Sequence, residues 1–279
     1  MSIIQFIADG PWGMVAAGVW GALWGSFVNV VIVRLPAGES LVSPRSHCRN
    51  CREALQWYDN IPLLSYLFLL GRCRRCGARF SARYWLVELL LCGLSVLLFH
   101  LFVVEGVQTL GPRLAQFVIT SLFCGFLLAV AFIDLATMKI PNALTYPAIP
   151  IAILLSLFMV HPRWWNGFIG GVVGYVAIRF ISDGWRVMTG RLGMGYGDAK
   201  LLAVIGGLLG WQALLPTLLF ASLQGAALGI PVLMFYRRGK KDDEPLRWAG
   251  IPFGPFLSLA AIEVLVFRDI LSQHLFFFL

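Results

Sequence analysis

Long apolar runs alternate along the chain with short segments that hold nearly all of the charge. A membrane-crossing helix needs about 20 mostly apolar residues. Runs of that kind cover Pro11–Val33, Trp85–Val104, Leu114–Ile133, Ala143–Val160 and Trp164–Ile181. A longer run, Leu201–Tyr236, is interrupted by Gly210 and Pro216, which predicts two spans joined by a tight turn near Trp211–Pro216. A last run covers Ile251–Phe267. The pattern predicts an all-α polytopic membrane protein of about eight transmembrane helices with one small soluble loop. It divides the chain into a first transmembrane helix (1–33), a loop (34–84) and a transmembrane bundle (85–279).

Composition agrees with this division. Of the 279 residues 59% are hydrophobic and only 13% charged, where a soluble domain carries about a quarter charged residues. The mean hydropathy is +0.79. These values exclude a soluble enzyme, a disordered chain and a small disulfide scaffold. The net charge of +8 reports topology. With the N-terminus outside, 19 of the 22 Lys and Arg residues fall on the cytoplasmic side. The excess is thus explained without nucleic acid, and it suits contact with anionic lipid. No Lys or Arg precedes the first run and no small-residue cleavage site follows it, so it reads as a span and not as a cleavable signal peptide.

The loop holds Cys48-x2-Cys51 and, after 21 residues, Cys73-x2-Cys76. Two such knuckles have the ligand pattern of a structural zinc site, at a spacing slightly beyond the common range. Redox pairs and unliganded thiols are the other readings, and a reducing cytoplasm disfavours stable disulfides. A loop of this size has little core of its own, and zinc would supply the missing stability. Cys92 and Cys124 fall within spans and read as buried apolar residues. Arg45, Arg49, Arg52, Arg72, Arg74 and Arg75 surround the knuckles, as topology markers and thiolate partners or as a docking face.

Carboxylates at the edge of spans are candidates for function by default. Asp134 ends an apolar run ahead of Pro141-Asn142, where pairing with Lys139 is the plain alternative. Asp198 lies in Gly193-Met-Gly195-Tyr-Gly197-Asp198-Ala-Lys200, where a helix N-cap is the plain alternative. Both fall on the cytoplasmic side. Two carboxylates at one depth fit aspartic peptidase chemistry, in which one activates water and the other polarises a carbonyl. They fit a proton- or cation-coupled transporter as well. Glu88 has Arg79 and Arg83 as plain partners, and Glu263 is expected to face the bundle or to pair with Arg268.

Several motifs in order resemble the type IV prepilin leader peptidases of bacterial pilus and type II secretion systems. They are Gly25-Ser-Phe-Val-Asn29-Val-Val-Ile-Val-Arg34-Leu-Pro36, the two knuckles, Asn60-Ile-Pro62-Leu-Leu-Ser65, Arg83-Tyr-Trp-Leu-Val-Glu88, the Asp134 segment, Gly193–Leu201 and Ile251-Pro-Phe-Gly-Pro255. The resemblance implies an inner-membrane aspartic endopeptidase that cuts the basic leader from prepilins or pseudopilins, typically after a Gly. Asp134 and Asp198 would be its catalytic pair, with Gly195, Gly197 and Lys200 in support. It also implies methylation of the new N-terminus from S-adenosylmethionine, with Asn29, Arg34 and Glu88 as candidate cofactor residues. Asn142 departs from the family's Pro-Asp and removes a third acid there.

Overall fold

The computed structural model describes residues 10–159, 165–190, 195–238, 252–268 and 270–271. These residues are helical outside one loop, with no strand among them. The helices are α1 (Pro11–Arg34), α2 (Leu64–Phe68), α3 (Ala82–Phe99), α4 (Leu110–Thr137), α5 (Asn142–Leu155), α6 (Trp165–Thr189), α7 (Tyr196–Leu209), α8 (Leu214–Arg238) and α9 (Gly254–Val266). A π-helical turn, His100–Val104, prolongs α3.

All but the short α2 fall on the apolar runs of the sequence. Four are long and apolar enough to cross a membrane: Pro11–Arg34, Ala82–Val104, Leu110–Thr137 and Trp211–Gly229. Asn142–Phe158 and Gly254–Val266 are shorter apolar helices. Two of the remaining helices among the described residues are shortened by local causes. Pro141 stands as the N-cap of α5, one residue earlier than a first helical position, and Pro147 and Pro150 lie inside that helix. Gly210, at φ 88°, stops α7 after 14 residues. The split of the longest run falls at this glycine, as its sequence implies. Gly193 and Ile251 lie outside the described residues.

The chain forms two compact units, Met1–Ala129 and Val130–Leu279. In the first, α1 lays Gly18, Gly21 and Gly25 against α3. A Cβ at Gly21 would overlap the Leu91 carbonyl and Ser95, and one at Gly25 would lie 2.7 Å from the Glu88 Cα. The Ser81 hydroxyl caps α3 by accepting from the Arg83 N–H at 3.3 Å. Trp20 Nε1 donates to the Ser121 hydroxyl at 3.0 Å.

In the second unit α7 is the central element. Every residue from Asp198 to Leu209 is buried. Its neighbour α6 approaches backbone to backbone, because Gly167, Gly170 and Gly174 face Gly206, Gly207 and Leu202. A Cβ at Gly170 would run into the Gly206 carbonyl, and one at Gly206 into the Gly170 carbonyl. Small residues permit such approach where lipid supplies no hydrophobic drive between helices. The seam sets where the first turn of α7 stands. Gly170→Ala is therefore expected to lower stability by about 1–3 kcal/mol through overpacking. Gly184→Ala, on the same helix with nothing within 4 Å of the new Cβ, is expected to leave it unchanged or raise it. Thermal unfolding of both variants in one detergent checks the pair.

Candidate functional site

In the second unit Asp134 occupies the last turn of α4, and Asp198 is the third residue of α7. They are only 5% and 8% exposed, and the negative charge of Asp134 reaches Asp198. The Asp134 Oδ2 accepts from the backbone N–H of Gly254 at 3.1 Å. Gly254 opens α9, so its N–H has no partner within its own helix. A Cβ there would sit 2.6 Å from the carboxylate, which explains a glycine between Phe253 and Pro255. The prolines of this segment thus start a helix whose first N–H orients an acid. Sequence reasoning did not single out Gly254. The Phe-Gly-Pro pattern is its only local signal, and its partner is 120 residues away.

Asp198 is not the N-cap of α7. Gly195 holds that place in extended conformation. Asp198 is the third helical residue, and its Oδ2 lies 3.2 Å from where a Cβ at Gly195 would stand. Gly197 packs on Ile140, whose Cβ would lie 3.0 Å from a Cβ at 197. Tyr196, between the two glycines, is tied to α6. Its ring lies under the Arg179 guanidinium, 4.3 Å from the ring centroid. Its hydroxyl donates to Asp183 at 3.2 Å, and Asp183 pairs with Arg179 at 3.1 Å. Arg179 and Asp183 carry no motif and emerge from the fold alone.

Lys200 is buried, yet it is not paired with either aspartate. Its Nζ donates to the Asn142 Oδ1 and lies 4.4 Å from the centre of the Tyr146 ring. Among the described residues Lys139 makes no ion pair with Asp134. Among the described residues Asp134 is answered by a backbone N–H, and neither acid is paired with a cation. Carboxylates in such a setting can hold one proton between them, and a backbone bordered by glycines can come close.

In the first unit the four thiols converge. Their sulfurs lie within 4.8 Å of one another, with Cys48–Cys76 at 3.8 Å and Cys51–Cys73 at 4.0 Å. A tetrahedral site with metal–sulfur bonds of about 2.3 Å spaces its sulfurs by about 3.8 Å. The knuckles repeat one turn. The Arg52 N–H donates to the Cys48 carbonyl and the Gly77 N–H to that of Cys73, at 2.8 and 2.9 Å. Arg52 and Gly77 both have positive φ, 59° and 71°. The backbone N–H of Ala78 and then the Asn50 amide pull the Cys76 thiol down to about 6. At Cys51 the Glu53 N–H favours the thiolate, but desolvation and the neighbouring sulfurs push the thiol up to about 11. Four sulfurs this close cannot all ionise without a cation among them. His47 hydrogen-bonds the Arg45 carbonyl through Nδ1 and stands outside the cluster.

The other three candidates lie close to the ends of α1 and α3. Asn29 is buried, and its Nδ2 donates to the Tyr84 carbonyl at 2.8 Å. Its Oδ1 is buried without a hydrogen-bond partner among the described residues. The Glu88 carboxylate accepts from the Leu63 N–H at 2.7 Å, so its partner is neither Arg79 nor Arg83. The buried Arg34 guanidinium donates to the carbonyls of Ser40 and Pro44 at 2.9 and 2.8 Å. It organises the loop. Glu263 faces α8, accepting from Gln224 Nε2 at 2.6 Å.

Residues 19–102 match the Bacterial Peptidase A24 N-terminal domain family, and residues 121–230 match the Type IV leader peptidase family. The chain is 36% identical over 300 residues to the Prepilin leader peptidase/N-methyltransferase of Aeromonas salmonicida (strain A449), covering 98% of each. It is 42% identical over 323 residues to the protein of that name from Myxococcus xanthus (strain DK1622), covering 95% of this chain and 93% of that one. With that of Klebsiella pneumoniae it shares 42% over 208 residues, 72% of this chain and 87% of that one. No solved structure matches.

Replacing Arg34 by Lys is expected to loosen residues 35–45. A single ammonium cannot reproduce the forked donation to two carbonyls, and hydrogen bonds from a charged group are worth about 1.5–3 kcal/mol. Amide exchange across this stretch should accelerate while that of α3 stays unchanged.

Proposed function

The chain belongs to the type IV leader peptidase family, and from that premise we propose that it cleaves the basic leader from prepilins or pseudopilins and methylates the new N-terminus. The observation that carries the reading is the pair of buried carboxylates, Asp134 and Asp198, at the ends of two helices, the first held by the Gly254 N–H at the start of α9. In this reading the two share one proton. The ionised member takes a proton from water, whose oxygen attacks the scissile carbonyl carbon. The protonated member gives its proton to the carbonyl oxygen, forming a tetrahedral diol. Collapse breaks the C–N bond as a proton passes to the departing amine. Gly195 and Gly197 leave room for the scissile backbone. Lys200 sets the first turn of α7 through Asn142 and does not neutralise the dyad. The Arg179–Asp183–Tyr196 cluster holds the same turn from α6.

We assign the methyl transfer to the first unit. S-Adenosylmethionine supplies an electrophilic methyl group when bound. The unpartnered Asn29 Oδ1 and the Glu88 carboxylate are the side chains that suit a cationic donor or an incoming amine. Arg34 orders the loop beside them. The four cysteines are assigned to a structural zinc ion, on the strength of their sulfur spacing. The protein is placed in the bacterial inner membrane as a multi-pass protein, with its N-terminus outside and with the cysteine loop and both aspartates on the cytoplasmic side.

Mass spectrometry of a prepilin incubated with purified enzyme and S-adenosylmethionine tests both activities. Wild type should release the leader and add one methyl group to the mature N-terminus. Asp134→Ala and Asp198→Ala should each cut cleavage by at least about 100-fold, the scale of general acid–base catalysis. Persistent cleavage by either variant would sink the dyad. Elemental analysis of the purified protein should find about one zinc per chain. Cys48→Ser should lose the metal and expose the loop to proteolysis, because metal binding here is folding energy.

A further inference from the structure

The cysteine loop carries an apolar ridge that the cluster does not use. Leu64, Leu67 and Phe68 lie at i, i+3 and i+4 on the single turn of α2, which puts them on one face. Each is more than half exposed. Trp57 before the turn is 78% exposed and Leu70 after it 82%. Leu63 and Leu70 bracket the turn with positive φ, 63° and 50°, a conformation that L side chains rarely adopt. The segment is thus held in an outward display instead of being folded over the sulfur cluster.

Its position relative to α3 is fixed. The Leu63 N–H, at the start of α2, donates to Glu88 in α3 at 2.7 Å. Around Glu88 the exposed surface of α3 is already apolar, with Leu86, Leu89 and Leu90 each about 40% exposed. The ridge therefore begins at the level where α3 turns apolar. Charge sets the chemistry of what covers it. Nine arginines stand in residues 34–84 against three acids. Arg74 and Arg75 pair with Asp59 and Glu53. Arg45, Arg49, Arg52, Arg72 and Arg79 are exposed and have no carboxylate partner among the described residues. A basic leader peptide would be repelled by such a surface.

We propose that the cysteine loop docks onto an anionic membrane surface. The ridge of Trp57, Leu64, Leu67, Phe68 and Leu70 enters the boundary between headgroups and acyl chains, and the unpaired arginines contact anionic headgroups. Aromatic and leucine side chains with arginines beside them form the usual interfacial pattern. Docking of this kind needs α1 and α3 to cross the membrane and needs no peptidase activity. It lays the loop flat on the bilayer, in continuity with the lipid-facing side of α3.

Amide exchange of the full-length, metal-loaded protein in single-copy lipid nanodiscs tests the docking. Discs of phosphatidylcholine alone are compared with discs holding phosphatidylcholine and phosphatidylglycerol. Residues 57–70 should exchange more slowly in the anionic discs. Each of Arg49→Gln and Arg72→Gln should weaken that protection about fivefold, the effect of about one basic residue at an anionic surface. The combined Leu64→Ser, Leu67→Ser and Phe68→Ser variant should abolish it, with retained zinc content showing that the cluster still forms. Equal exchange of the wild type in the two lipids would overturn the proposal without touching the peptidase reading. Protection that appears only in discs holding two copies would assign the ridge to self-association and overturn it too.

Discussion

An acid at the edge of an apolar span has to be solvated by something, and in this protein that something is the open end of a helix. The first backbone N–H groups of a helix have no partner inside it. Asp134 takes one from Gly254 at the start of α9. Glu88 takes one from Leu63 at the start of α2. Each bond satisfies a donor and an acceptor that would both be costly alone. None adds a positive side chain. The cation nearest in sequence to the dyad, Lys200, is occupied by Asn142 and the Tyr146 ring. A carboxylate solvated by neutral dipoles stays free to exchange a proton, where a full ion pair would hold it permanently charged.

The cysteine loop obeys a related economy. It is too short for a core of its own, and it is held at separate points. The Arg34 guanidinium gathers the carbonyls of 40–45 at the end of α1. Glu88 anchors the middle through Leu63. The sulfur cluster closes the two knuckles on each other.

Hydropathy located the helices because burial against lipid or protein is a local, additive property of side chains. The interruption at Gly210 and the two cysteine knuckles were legible for the same reason, since each is a short-range signature. Asp134 and Asp198 stood out because a charge at a span boundary is expensive wherever it points. The partners of those acids were not legible. Gly254 meets Asp134 only when two helix ends converge, and Lys200 turns to Asn142 only because α5 presents that amide. The motif around Arg34 does not show that its guanidinium gathers three loop carbonyls, because those lie on a turn the fold brings back to it. The length of the shorter helices also escaped the pattern, because hydropathy does not register where prolines and a left-handed glycine end a helix.

The glycine seam between α6 and α7 has a mechanical meaning. Where two helices touch through side chains, rotamer changes can absorb a shift of one along the other. Here carbonyl groups of Gly170 and Gly206 face bare α-carbons, and there is nothing soft between them. The pair resists shear and behaves as a single girder, with Tyr196 bolted across it by Arg179 and Asp183. Asp198 is carried on that girder. Whatever must give way to admit an extended peptide is thus not the platform of this carboxylate, and compliance has to come from elements that grip it less closely.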